Sequence, residues 1–288
     1  ALEEEEISTS TISTKLAEAY SLFVGGRYAD SEKLLKSEET WLKEYIFSYF
    51  ENIEQFSWSL VNKKPYDFLI EKIVNKPQSS SALDLGNRVH DALNKIGKGQ
   101  AKLEDYTEEN EVKSIKNGLD ALEKIKNDHP GFKLKETELT VKLPVKSMID
   151  YNEEDTLMFS GKIDAVYEHD DGVILIDYKT SRGTNEVSDY KRQLAVYKKM
   201  YSINNDIAEE KIKTCVIFVS LRGGINSGKW EYSIEYGTRD VFATFEKHLK
   251  KVLEWKKNPG EFIKELVNQD TEGTLHETIK DKLSSAFN

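Results

Sequence analysis

Two aspartates and a lysine stand out in "GKIDAVYEHDDGVILIDYKTSR", residues 161–182: Asp164, Asp177 and Lys179, each set among apolar residues. Asp171-Gly172 between two alternating runs reads as a two-residue hairpin turn. That turn sets Asp170 opposite Val173, Val166 opposite Asp177 and Asp164 opposite Lys179. Directly opposed residues share a face, so the three charged groups cluster; a three-residue loop would scatter them. Two carboxylates this close must share a proton, pair with Lys179 or bind a divalent cation. Oxygen donors of this kind suit Mg²⁺ or Mn²⁺. A salt-bridge ladder on a solvent-facing sheet fits the same geometry. The second run is apolar on both faces, with Val173 and Leu175 on the side of Asp177 and Ile174, Ile176 and Tyr178 on the other. That marks an interior strand, where charges are usually functional or paired.

The elements that must hold this hairpin follow from periodicity. Residues 1–80 read as helical, with a Gly25-Gly26 stop and a Pro/Ser-rich connector near 77–81. "ALDLGNRVHDALNKIGKG" and "DYTEENEVKSIKNGLDALEKIKNDHPG" are amphipathic helices. From Phe132 the period becomes two over "FKLKETELTVKLPV". The hairpin follows, then the helix "NEVSDYKRQLAVYKKMYS", the buried strand "KTCVIFVSL", the alternating strand "KWEYSIEY" after the turn "RGGINSG", and a long helix to Pro259-Gly260. The expected organisation is a helical N-terminal region (1–80), an α/β core on a mixed sheet (81–257) and a polar helical tail (258–288).

Composition narrows the chemistry. Net charge is −10 over 288 residues, so nucleic acid would need a local basic patch or a metal ion. The single cysteine, Cys215, excludes an intrachain disulfide and any zinc or iron–sulfur site built on several cysteines. The acidic start "ALEEEEIS" lacks the pattern of a secretion signal, and no apolar run reaches ~20 residues; a cytoplasmic protein without membrane spans is expected.

"LGNRVH" ending at His90, "GKID" ending at Asp164, "DYK" at 177–179 and "QLAVY" from Gln193 to Tyr197 occur in this order. Together they resemble the PD-(D/E)xK nuclease superfamily in its RecB-like branch, found fused to or partnered with DNA helicases and in CRISPR-associated exonucleases. The resemblance covers roughly residues 57–200. It implies a restriction-endonuclease-like fold and a Mg²⁺- or Mn²⁺-dependent DNA nuclease, expected to be an exonuclease working in repair or recombination. His90, Asp164, Asp177 and the backbone carbonyl of Tyr178 would be metal ligands. Lys179 would orient or help deprotonate the attacking water. Gln193 and Tyr197 would shape the site and hold the DNA strand. Arg182, Lys191, Arg192, Lys198 and Lys199 would form a basic stripe for phosphates. Glu138 stands where some relatives carry an acidic residue. Many relatives carry a Cys-Pro that helps hold an iron–sulfur cluster; here Lys64 precedes Pro65, so no cluster is expected.

Each residue also has a plainer reading. His90 shares a helix face with Gly86, Val89 and Leu93 and could be a core histidine bonded to backbone. Tyr197 could be a buried tyrosine beside a capping Gln193, the basic stripe a solvated helix face, and Glu138 part of a solvated strand. Two other functions compete: a DNA-binding or scaffolding module without catalysis, and a two-carboxylate glycosidase. Lys179 beside the carboxylates disfavours the latter, since a nearby ammonium lowers the pKa of a general acid. The chain has no G-x-x-x-x-G-K-[ST] loop, so any helicase motor would lie elsewhere.

Overall fold

The computed structural model describes residues 9–36, 41–73, 81–151, 156–223, 229–237, 242–270 and a few positions from 273 to 283. The Pro/Ser connector, most of the "RGGINSG" turn and most of the chain after 270 lie outside them. The chain divides into two compact units, residues 79–246 and residues 1–78 with 247–288.

In the first unit the helices are α1 (Ser81–Gly97), α2 (Glu109–Asp128) and α3 (Val187–Asn205). The strands are β1 (Lys133–Pro144), β2 (Met158–His169), β3 (Gly172–Lys179), β4 (Ile212–Gly223) and β5 (Lys229–Tyr236). They pair in that order, antiparallel except for the parallel pair β3–β4. A parallel pair needs a long crossover, and α3 supplies it. This is the expected restriction-endonuclease-like arrangement, a mixed sheet flanked by helices.

One face of the sheet carries Ala165, Tyr167, Ile174, Ile176, Tyr178, Cys215, Ile217 and Val219, packed against Val89, Ala92 and Leu93 of α1 and Ile115, Ala121 and Ile125 of α2. The period-two pattern on the strands and the three-four spacing on the helices are the cause. α3 covers the other face, where Tyr190 meets Phe218 at 6.0 Å between ring centroids. α1 stops at a Schellman motif: Gln100 N–H bonds Lys95 C=O at 2.8 Å, Gly99 N–H bonds Ile96 C=O at 2.9 Å, and Gly99 takes φ +71°.

In the second unit, helices Thr9–Val24, Tyr28–Lys36 and Trp41–Asn52 are joined by Pro259–Asn268 and most of Phe242–Lys257. Phe262 lies 5.1 Å from both Phe50 and Trp255, and Phe68 stacks on Phe50 at 5.6 Å. The segment after 258 therefore departs from the polar tail expected of it. Phe262, Ile263 and Leu266 make one apolar stripe at helical spacing and are fully buried.

The hairpin corrects the expected register. Glu168 pairs with Val173, Val166 with Leu175 and Ala165 with Ile176, so the turn is Asp170-Asp171 and Gly172 begins β3. The pairing slides by two residues, which preserves the parity and the shared face. Gly172 answers a different demand: a Cβ there would lie 2.0 Å from the Lys211 carbonyl oxygen, just ahead of β4.

Candidate active site

The slide changes who meets whom. The β2–β3 ladder runs to Ala165–Ile176, beyond which the Tyr178 N–H donates to the Asp164 carboxylate, Oδ2, at 2.8 Å. Asp164 Oδ2 also lies 3.5 Å from His90 Nδ1. Lys179 turns to Asp177 instead of the expected Asp164. Its Nζ donates to Oδ1 at 2.9 Å and approaches Oδ2 at 2.8 Å, there without hydrogen-bond geometry. Asp177 is 5% exposed, and its Oδ2 is buried without a hydrogen bond.

His90 reaches the carboxylates from α1, the layer behind the sheet. Gly86, one turn earlier, permits the approach: a Cβ there would sit 3.1 Å from Thr180 Oγ1. From the α3 side comes Tyr197, which accepts a 2.8 Å hydrogen bond from Gln193 Nε2. Tyr197 is buried against Gly161, where a Cβ would lie 2.6 Å from Cε1 of the ring. Gly161 thus makes room for a ring of the candidate site, a role that periodicity and charge did not single out; its signal was its place opening "GKID". Gly161→Ala would force that ring to move.

The electrostatics of the two carboxylates diverge. Burial pushes Asp177 up to about 6, with Lys179 opposing and the charge of Asp164 adding to the rise. Burial also works against a charged Asp164, but the hydrogen bond and charge of His90, the Tyr178 N–H and Lys179 together hold it below the usual carboxylate value. Burial disfavours imidazolium at His90, yet Asp164 and Asp177 outweigh it and raise its pKa. Burial pushes the Tyr197 phenol up to about 12. Two neighbouring carboxyls with pKa values driven apart are a recurrent mark of functional sites.

Among the described residues, no three His, Cys, Asp or Glu side chains converge into a ready ligand set for a metal ion. The donors that are present fit one nonetheless. The desolvated Asp177 carboxyl, whose buried Oδ2 accepts no hydrogen bond and faces the Lys179 ammonium, is the kind of oxygen site a hard divalent cation satisfies.

The basic stripe is largely occupied by acids. Lys191 Nζ lies 3.4 Å from Glu235, Lys199 2.8 Å from Glu209, and Arg192 pairs with Asp189. Lys198 is half-buried on α3, and Arg182 is exposed between β3 and α3. Surface pairs of this kind are worth at most ~1 kcal/mol, so a phosphate can displace them.

Glu138 sits between the pairs Thr137–Ala165 and Leu139–Ile163, beside Asp164 on the neighbouring strand. Its φ is +56°, a left-handed conformation that costs a non-glycine residue ~1–2 kcal/mol, and its carboxylate pairs with Lys162. Such strain tends to collect at functional sites. Glu138→Gly should therefore leave stability equal or raise it by up to ~1 kcal/mol, whereas glycine inside an ordinary strand costs about that much. Denaturant midpoints check this; a clear loss of stability would remove the strain argument.

A family model described as the PD-(D/E)XK nuclease superfamily matches residues 59–270. The chain belongs to that superfamily. Among solved structures, the protein called SSO0001 is similar at 15% identity over 75% of this chain and 85% of its own, with a TM-score of 0.38, a likeness too distant to bear on fold or function. No curated protein matches. Among the described residues no helix is long and apolar enough to cross a membrane.

Proposed function

We propose that this superfamily member is a DNA nuclease dependent on Mg²⁺ or Mn²⁺, of the RecB-like branch, acting as an exonuclease beside a helicase in repair or recombination. The observation that carries the nuclease chemistry is the buried pair Asp164–Asp177 with Lys179 against it: a desolvated carboxyl beside a second carboxylate, ion-paired to an ammonium. Asp177, Asp164, His90 and the Tyr178 carbonyl would hold the cation, His90 in its neutral form. The ion, when bound, supplies Lewis acidity at the scissile phosphate. Lys179, freed from Asp177, directs the attacking water and offsets charge developing on the phosphate. Gln193 and Tyr197 set the strand's distance from the carboxylates. The order of motifs from His90 to Tyr197 supports the RecB-like branch and, through it, the helicase partner. The single cysteine, Cys215, supports a reading without a cysteine-held iron–sulfur cluster.

End-labelled single- and double-stranded DNA incubated with Mg²⁺, Mn²⁺, Ca²⁺ or EDTA tests this reading. Shortening of labelled strands with Mg²⁺ or Mn²⁺ alone is expected. DNA binding without cleavage in any metal would favour the scaffolding alternative. Reversing Lys191 and Arg192 together to glutamate should weaken DNA binding in Ca²⁺ and flatten its salt dependence by roughly one unit of slope per lost phosphate contact. An unchanged slope would place the DNA path elsewhere.

A further inference from the structure

The Lys179 ammonium has a second neighbour besides Asp177. It stands 4.6 Å from the ring centroid of Tyr190, over the ring face. Tyr190 lies in the first turn of α3 and is itself tethered. Its hydroxyl donates a hydrogen bond to Glu186, one turn earlier, and its ring leans on Phe218. Phe218 is the residue paired with Lys179 across the parallel β3–β4 ladder. Ring, lysine and strand are thus held as one group.

We propose that Tyr190 is a positioning residue for Lys179, and that this contact matters when Asp177 turns to a cation; the proposal rests on the nuclease reading above. A lysine is a compact charge on a flexible four-carbon stem, with no fork geometry to fix it. In the structure Asp177 holds it from one side. Once the Asp177 carboxylate is engaged elsewhere, that hold weakens, and the ring face remains as a fixed attraction at partly buried depth. The ring keeps Nζ near the reacting phosphate instead of letting it swing to solvent. Glu186 and Phe218 keep the ring from following it.

The test compares Tyr190→Phe with Tyr190→Leu in the full chain. Phenylalanine keeps the aromatic face and loses only the hydroxyl. Leucine keeps apolar bulk against Phe218 and loses the face. Single-turnover cleavage of labelled DNA in Mn²⁺ should fall on the order of tenfold in Tyr190→Leu, with KM and Mn²⁺ affinity little changed. Tyr190→Phe should recover most of that rate. A purely structural role would lower both variants alike and would move thermal unfolding with them; that pattern, or wild-type turnover in Tyr190→Leu, overturns the proposal. A second readout needs no activity: the Lys179 ε-methylene protons should show an upfield ring-current shift in wild type and Tyr190→Phe that vanishes in Tyr190→Leu. If wild type cleaves nothing, the nuclease reading fails, while the ring-current comparison still decides whether Tyr190 holds the lysine; unchanged shifts in Tyr190→Leu would show that it does not.

Discussion

Lys179→Ala should lower DNA cleavage by at least ~10²–10³-fold while DNA binding in Ca²⁺ and affinity for Mn²⁺ stay near wild type. Removing one preorganised group that stabilises developing charge typically costs that much. The lysine meets Asp177 at 2.9 Å and is not among the proposed metal donors, so that proposed set should survive its loss. Asp177 is almost wholly buried, and Lys179 is the cation beside it. Stripped of that partner, an ionised Asp177 carries an uncompensated desolvation cost of ~1–3 kcal/mol. The variant should therefore melt lower than wild type in EDTA and regain much of the difference when Mn²⁺ is added. Near-wild-type turnover in single-turnover assays would end the catalytic assignment. Normal stability in EDTA would mean that Asp177 is already protonated in the free protein.

Asp177→Asn and Asp164→Asn should both abolish metal-dependent cleavage, yet move stability in opposite directions. The Asp177 carboxyl is raised to about 6 in the folded protein, above its value in an unfolded chain. The folded state then binds the proton more tightly. Its stability falls as pH rises from the ordinary carboxylate range through about 6, and the cost is fully present above that. Asp177→Asn removes the cost. In EDTA the variant should exceed wild type by on the order of 1–3 kcal/mol at about pH 8, and the advantage should vanish by about pH 4. Asp164 has the opposite sign. Its carboxylate accepts the Tyr178 N–H and faces His90, which hold its pKa below the unfolded value. That contribution is present above the ordinary carboxylate range and lost as pH falls through the depressed value. Asp164→Asn should therefore be less stable than wild type at neutral pH. Denaturant midpoints across pH in EDTA measure both curves, and calorimetry with Mn²⁺ measures the ligand role. Matching pH profiles for the two variants would contradict the unequal environments, and unchanged Mn²⁺ affinity in both would reduce the carboxylates to a structural ladder.

Much of this site is legible in the amino-acid sequence. Period-two runs around a two-residue turn make a hairpin whatever surrounds it, because side chains alternate across a strand. Parity alone puts Asp164, Asp177 and Lys179 on one face, and a slide of two residues does not undo it. The three-four spacing of Val89, Leu93 and Ile96 makes α1 a helix with His90 beside its apolar stripe, and Gly86 signals a close approach, which Thr180 bounds. What the sequence could not decide was the pairing within the cluster. Asp-Gly chemistry favours a turn at 171–172; the close passage of Lys211, far along the chain, claims Gly172 for the strand instead. In the resulting register Lys179 meets Asp177, and Asp164 is left to His90 and the Tyr178 N–H. Burial is likewise a property of the assembled layers: the desolvation that raises the Asp177 carboxyl to about 6 exists only once the sheet is packed. Gly161 and Tyr190 acquire their meaning in the same way, from a ring that needs room and an ammonium that needs a face. Local periodicity settles which residues share a surface, because it depends on backbone geometry alone; tertiary packing settles which of them touch and which are charged, because contact distance and solvent access belong to the whole fold.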